Sequence, residues 1–313
     1  MPKISVITPC FNEEANIKEC YERLRRVMEN ELSTYDYEHI FGDNASTDST
    51  FHILRDIAKF DKRVKVILNS RNVGPFRNMW NAMKSATGDV VIPLLPADLQ
   101  DPPEVIPSFI KNWEKGDLIV YGVRNSREEF IVMRAIRNIY YRIIHKFADS
   151  VIPRNSGEFL LADMRVIKSV LEIDDFYPYI RGRIAQTGVR ASSVTYKWVK
   201  RNHGRSRNSF LDLIDQAING FVSTSRIPAR ISLMFGFILS VIGLLGAIIT
   251  LVTTIVNRNG IPVGIPTLII AVFCFSGFQL FFLGVIGEYV LSIHGQVRRP
   301  PAMFEMERLN FHE

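Results

Sequence analysis

Short apolar runs alternate with longer stretches of helical spacing along the first hundred residues of the chain. The pattern predicts a strand over 3–9, stopped at Pro9, then a helix from Asn12 to Asn30 with Asn12 as its cap and Glu13 and Glu14 in its first turn. A strand over Glu38–Gly42, a helix over Thr47–Phe60, a strand over Val64–Leu68 and a helix over Gly74–Ala86 follow. The last strand of the series, Val90–Leu95, runs straight into Pro96-Ala97-Asp98. Strand and helix alternating through short links predict an α/β fold, doubly wound about a mostly parallel sheet. Ligands bind such sheets beyond the carboxyl ends of the strands. The polar clusters at 9–13, 43–48 and 96–101 all fall there.

After Gly122 the pattern loosens into an arginine-rich helix over Phe130–Phe147 and a polar loop over Pro153–Phe159. Phe210, Leu213, Ile214, Ala217, Ile218 and Phe221 then recur at helical spacing. An amphipathic helix of this kind either lies on a bilayer surface or packs on the globular part. Two uncharged stretches follow, Ile231–Val256 and Asn259–Gly287. The first holds 26 residues (231 through 256), about 39 Å as a helix, enough for a hydrocarbon core of about 30 Å. The predicted organisation is a catalytic domain over 1–207, an amphipathic juxtamembrane helix over 208–229, a two-helix transmembrane anchor over 230–290 and a tail over 291–313.

Overall composition hides that shift, since 47% hydrophobic and 22% charged residues are ordinary for a globular chain. Arg226 and Arg230 precede the first stretch, Arg298 and Arg299 follow the second, and the link between them carries only Arg258. The positive-inside bias therefore places the large domain and the C-terminus in the cytosol, at the plasma (inner) membrane. No secretory signal is expected at Met1-Pro-Lys-Ile-Ser. Cys10, Cys20 and Cys274 have no metal-type spacing, and a reducing compartment fits them. The net charge of +6 shows no nucleic-acid recognition motif, so anionic lipid and phosphorylated ligands are the expected partners. Glycines at 236, 243, 246, 277, 284 and 287 allow close helix packing, and with it a homo-oligomer, dimer or tetramer.

Three clusters carry chemistry. Asp43 ends a strand, where its carboxylate either accepts hydrogen bonds from a ribose or base, or caps the next helix; Asp48 reads as a cap. In Pro96-Ala97-Asp98-Leu99-Gln100-Asp101-Pro102-Pro103, Asp98 and Gln100 can offer two oxygens from one side of an extended turn. Hard divalent cations bound to diphosphate take such ligands, while Asp101 before two prolines reads as a turn residue. Glu158, in Arg154-Asn155-Ser156-Gly157-Glu158-Phe159, either contacts sugar hydroxyls, acts as a base, or forms a surface salt bridge.

Taken in order, Val6-Ile7-Thr8-Pro9 with Phe11-Asn12-Glu13-Glu14, Asp43-Asn44-Ala45-Ser46-Thr47-Asp48 and Ala97-Asp98-Leu99-Gln100-Asp101-Pro102-Pro103-Glu104 resemble glycosyltransferase family 2. More narrowly, the chain is similar to polyprenyl-phosphate glycosyltransferases: dolichol-phosphate mannose synthases and bacterial GtrB-type and ArnC-type enzymes. The resemblance extends through Asn155–Phe159, Arg201-Asn202-His203-Gly204-Arg205-Ser206-Arg207 and the paired spans ending Gly284-Val285-Ile286-Gly287-Glu288-Tyr289. It implies a GT-A fold and inverting transfer from a nucleotide sugar, UDP favoured and glucose leading, to a membrane lipid such as undecaprenyl phosphate for cell-envelope glycans. It places Pro9, Asn12, Glu13 and Asp43 at the nucleotide, and Asp98 and Gln100 at Mg2+ or Mn2+. Asp98, Glu158 and Arg201 become catalytic candidates, and Arg124, Arg127, Arg134 and Arg207 candidates for the acceptor phosphate.

Three positions depart from the family pattern. Pro96 stands where a first metal carboxylate is usual, Gly157-Glu158-Phe159-Leu160 replaces Gly-Asp-Phe-Arg, and Arg207 replaces lysine. Pro96 motivates the alternative of a catalytically weak, membrane-bound nucleotide-sugar binding protein. A processive synthase is disfavoured, because its Gln-x-x-Arg-Trp motif is lacking.

Overall fold

The computed structural model describes residues 1–125, 153, 155–173, 178–199, 264–298 and 303–311, with scattered helical positions between 234 and 252. Among the described residues, eight strands build one sheet in the order β7-β5-β6-β4-β1-β2-β3-β8. They are β1 (Lys3–Cys10), β2 (Asp36–Asp43), β3 (Val64–Asn69), β4 (Val90–Ile92), β5 (Ile119–Arg124), β6 (Ser156–Asp163), β7 (Ala191–Tyr196) and β8 (Glu305–Leu309). Strands β4, β1, β2 and β3 run parallel. The alternating N-terminal pattern therefore folds as expected, into an α/β, mostly parallel sheet. Strands β6 and β8 are antiparallel additions.

Helices α1 (Ile17–Glu31), α2 (Thr50–Phe60), α3 (Pro75–Lys84), α4 (Ile106–Glu114), α5 (Met164–Leu171) and α6 (Ile180–Gln186) accompany the sheet. Strands β1, β2 and β4 are buried nearly throughout, as expected of parallel strands covered on both faces. One core cluster joins Ile4, Val6, Leu24, Phe109 and Phe159. Another, on the opposite pleat, joins Ile7, Ile40, Met79, Leu160 and Ile184.

Several boundaries move. α1 begins at Ile17 rather than Asn12, because Asn12 takes a left-handed φ of 55° and binds the neighbouring loop instead of capping. Residues 156–159, expected in a polar loop, open β6; pairing with β5 overrides the polar local sequence. Part of the expected tail, 305–309, is an edge strand on β3. It is held by Arg55 to Glu307 (2.6 Å), Asn81 to Glu305 (2.6 Å), and the Asn310 amide donating to Ala58 O and Val64 O (2.6 and 2.8 Å). The expected helices over 130–147 and 208–225 lie outside the described residues.

The chain divides into two compact units, Met1–Asp212 with Arg299–Glu313, and Leu213–Arg298. Within the second, α7 (Ile265–Arg298) is a 34-residue helix. Many of its described apolar side chains, among them Leu268, Val272, Phe275 and Phe281, are exposed. Among the described residues no helix is long and apolar enough to cross a membrane. The expected first span is described only at scattered positions, and several α7 side chains, such as those of Ile269, Ile270 and Phe273, also lie outside the described set.

Candidate active site

Three loops at the carboxyl ends of β1, β2 and β3 are tied together by side chains. Asn12 accepts from the Thr47 backbone at 2.7 Å and donates from Nδ2 to Thr47 Oγ1 at 3.1 Å, while its own N–H reaches Ser46 Oγ at 2.9 Å. The Glu13 N–H donates to Thr50 Oγ1 at 2.8 Å, and Ser49 N–H to Glu14 at 3.0 Å. Asn44 bridges to the third loop, donating to Asn72 Oδ1 at 2.8 Å and accepting from Val73 N–H at 3.0 Å. Asn78 on α3 donates to Gly42 O at 2.6 Å, and a Cβ on Gly42 would stand 2.5 Å from Asn78 Oδ1. Glycine is therefore required for α3 to approach β2 so closely. Sequence reading missed Asn72 and Asn78, which lay in a loop and a helix face without a pattern of their own, and gave Asn44, inside the 43–48 cluster, no separate role.

Pro9 and Asp43 sit at these strand ends, Pro9 opposite Gly42 and Asp43 opposite Cys10. Asp43 is 0% exposed. Its Oδ1 accepts from Ser46 N–H at 2.9 Å, whereas buried Oδ2 has no partner. Burial pushes its pKa up. An orphaned buried carboxylate oxygen is costly, and this one is left able to accept a further hydrogen bond. Asp48, read from sequence as a cap, lies one residue before Ser49, the N-cap of α2, and accepts from Thr50 N–H at 2.9 Å. The Glu13 carboxylate accepts from Asn16 Nδ2 at 2.6 Å and so turns toward the start of α1.

The loop after β4 alternates buried Leu95, Ala97, Leu99 and Asp101 with half-buried Pro96, Asp98 and Gln100. Leu99 N–H donates to Pro96 O at 3.0 Å, so the two expected metal ligands flank Leu99 in a closed turn, partly accessible as Pro96 is. Gln100 N–H donates to Asp98 Oδ1 at 3.2 Å, and Leu99 holds a φ of 56°. Among the described residues no group of three or more His, Cys, Asp or Glu could hold a metal ion. One carboxylate and one amide suit a cation shared with a diphosphate and water, not a self-sufficient cage.

Glu158, on β6, is mostly buried and accepts the Arg181 N–H at 3.0 Å, with the Arg181 guanidinium 3.8 Å away. Burial raises its pKa and Arg181 opposes that rise. Arg181 also donates to Tyr179 OH at 2.7 Å and to Ser156 O. Of the alternatives for Glu158, a salt bridge is present but mostly buried rather than on the surface, and Arg181 carried no sequence signal. Asp101 is not a simple turn residue: it is 1% exposed and pairs with Arg124 through Nη2–Oδ2 at 2.7 Å and Nε–Oδ1 at 3.0 Å. Arg124, expected at the acceptor phosphate, is committed to that carboxylate. Arg127, Arg134, Arg201 and Arg207 lie outside the described residues.

Residues 5–171 match the family described as glycosyl transferase family 2, a range that takes in most of β1, all of β2 through β6 and the loops after β1 to β4, with Tyr179 and Arg181 just beyond it. The chain belongs to glycosyl transferase family 2. It is a glycosyltransferase, and its similarity to curated relatives runs the whole length. The uncharacterized glycosyltransferase YkcC of Bacillus subtilis is 32% identical over 298 residues, 95% of this chain and 91% of the relative. A prophage-derived bactoprenol glucosyl transferase of Shigella flexneri is 30% identical over 300 residues, 96% of each chain. A prophage bactoprenol glucosyl transferase homolog of Escherichia coli is 28% identical over 300 residues, 96% of this chain and 97% of the relative.

Proposed function

We propose that this glycosyltransferase moves a sugar, glucose first among candidates, from a UDP-sugar to a polyprenyl phosphate such as undecaprenyl phosphate, with inversion at the anomeric carbon. The observation that carries the reading is the end-to-end similarity, through the last 86-residue unit as well as the catalytic one, to relatives named bactoprenol glucosyl transferase. In this reading Asp43 Oδ2 accepts a hydrogen bond from the base or ribose, and the Asn12–Thr47 and Asn44–Asn72 links hold the three nucleotide loops in place. Asp98 and Gln100 would hold Mg2+ or Mn2+, which supplies charge neutralisation for the departing diphosphate. A phosphate acceptor is largely ionised near neutral pH, so the chain needs to align it more than to deprotonate it. Glu158 then contacts the sugar, with Arg181 setting its charge and aim.

The same reading makes 230–290 a two-span anchor with the catalytic unit and C-terminus in the cytosol. Uncharged sequence, exposed apolar side chains on α7 and flanking arginines support it. So does the return of the chain to its own sheet as β8: segments on either side of the excursion belong to one sheet, which requires an even number of crossings.

Membranes containing the protein, offered a panel of nucleotide sugars with undecaprenyl phosphate and Mn2+ or Mg2+, are expected to yield one lipid-phosphate sugar by mass analysis, and Asp98→Ala to abolish it. Pro96 in place of a carboxylate favours a second reading, a nucleotide-sugar binding protein of weak activity. Tight UDP binding with no lipid product from any donor would favour that alternative.

A further inference from the structure

Arg124 closes β5, Tyr196 closes β7, and the two are register partners in a parallel pair. Ser156 opens β6 opposite Val123 of β5. Three strand ends therefore converge, and the loop that follows β4 reaches across to them with one side chain, Asp101. Its Oδ2 accepts from Arg124 Nη2 at 2.7 Å, and its Oδ1 accepts from Arg124 Nε at 3.0 Å and from Tyr196 OH at 2.5 Å. The guanidinium lies 5.3 Å from the Trp198 ring centroid. A Cβ on Gly157 would stand 3.2 Å from Arg124 Nη2. Two main-chain bonds complete the junction, Arg124 N–H to Asn155 O at 3.2 Å and Val199 N–H to Gln100 O at 3.0 Å.

We infer that Asp101, Arg124 and Tyr196 form a positioning clamp, which fixes the loop carrying Asp98 and Gln100 against the strand end carrying Glu158. The loop needs an external hold, because Leu99 is a non-glycine residue in the left-handed region, a conformation that persists only where its surroundings enforce it. The need is greater here than where two carboxylates share the cation, since Asp98 alone must be aimed. Sequestration of Arg124 is also the lower-energy arrangement. Gripping a phosphate through the same two donors would leave Asp101 buried and unpaired, a costly state. The clamp explains why an aspartate beside two prolines is buried, why glycine stands at 157, and why a tyrosine ends β7.

The inference rests on the transferase reading, so its test has one arm that needs no acceptor. Calorimetric titration of UDP with Mn2+ is run on wild type, Asp101→Asn, Arg124→Lys and Tyr196→Phe, alongside steady-state transfer to undecaprenyl phosphate. The clamp predicts that Asp101→Asn and Arg124→Lys raise the Mn2+ requirement and lower kcat by similar factors, about 10- to 100-fold. It predicts an acceptor KM within about 2-fold of wild type and a double variant no worse than the weaker single one, as for residues acting as a unit. Tyr196→Phe, which removes one hydroxyl, should give a smaller change in the same direction and serves if the others fail to fold. An unchanged Mn2+ requirement in Asp101→Asn, with Arg124→Lys raising only the acceptor KM, overturns the clamp and returns Arg124 to the lipid phosphate. If wild type binds UDP and Mn2+ but transfers nothing, the substrate reading fails while the calorimetric arm still decides the clamp.

Discussion

The Glu158 carboxylate accepts the backbone N–H of Arg181 at 3.0 Å, joining β6 to the first turn of α6 across 23 residues of sequence. Burial disfavours the ionised carboxylate and Arg181 favours it, with burial the larger influence. Glu158→Gln is expected to lower kcat by about 100-fold or more if the charge is used in the reaction. Arg181→Met removes the influence that lowers the Glu158 pKa, so the acid limb of the rate profile should move to higher pH. A kcat–pH profile of both variants checks this, and an unmoved limb in Arg181→Met would separate the two residues.

Asp43 holds one carboxylate oxygen buried and without a partner. Replacing it with asparagine puts an N–H2 donor or a neutral oxygen where a charged acceptor stood. Affinity for UDP should fall by about 10- to 100-fold, the range for a hydrogen bond to a charged group. Isothermal titration with UDP reads the change directly, and wild-type affinity would remove Asp43 from the nucleotide site.

Pro96 lies half-buried two residues before Asp98, in the turn that its own carbonyl closes with Leu99 N–H at 3.0 Å. Pro96→Asp adds a second carboxylate there, so the Mn2+ concentration for half-maximal UDP binding should fall. Titrating Mn2+ at fixed UDP tests it. An unchanged requirement would mean that position 96 does not face the cation.

Glu38 begins on the opposite, amino-terminal side of the sheet, 1% exposed, between Lys65 at 2.7 Å and Lys3 at 3.0 Å, with Ser5 Oγ donating at 2.6 Å. Burial works against its charge, but the lysines, Ser5 and Thr87 together hold its pKa down at about 2. A depressed carboxylate pKa contributes stability above its unfolded value, and that stability is lost as pH falls from about 4.5 toward 2. Glu38→Ala should destabilise the protein by about 1–3 kcal/mol at neutral pH, because the half-buried Lys3 and Lys65 ammonium groups and the Ser5 hydroxyl lose their acceptor. It should also flatten the acid limb of a stability-versus-pH curve followed by tryptophan fluorescence.

Strand β8 covers the edge of β3, and Asn310, at a φ of 60°, closes it with bonds to the main-chain oxygens of Ala58, Asp61 and Val64. Deleting residues from 303 onward exposes that edge, so lower thermal stability and concentration-dependent association are expected. Asn310→Ala alone should cost about 1–3 kcal/mol. Thermal unfolding and size-exclusion profiles distinguish the effects.

The sequence by itself determined the alternating N-terminal half, because each parallel strand carries a short run rich in β-branched and other apolar residues and each helix repeats its own period. Those signals are local. It determined the polar clusters too, since family 2 motifs lie in consecutive residues around Asp43 and Asp98. The family match bears that resemblance out. What it left undecided depends on pairing across distance. Ser156–Asp163 became a strand because β5 offered a partner, and Glu305–Leu309 because the edge of β3 did. Asp101 looked like a turn residue until Arg124 and Tyr196, 23 and 95 residues further along, met it at the ends of two strands. A buried charge declares its partner only once the sheet has brought the strand ends together, and no periodicity in the chain encodes that meeting.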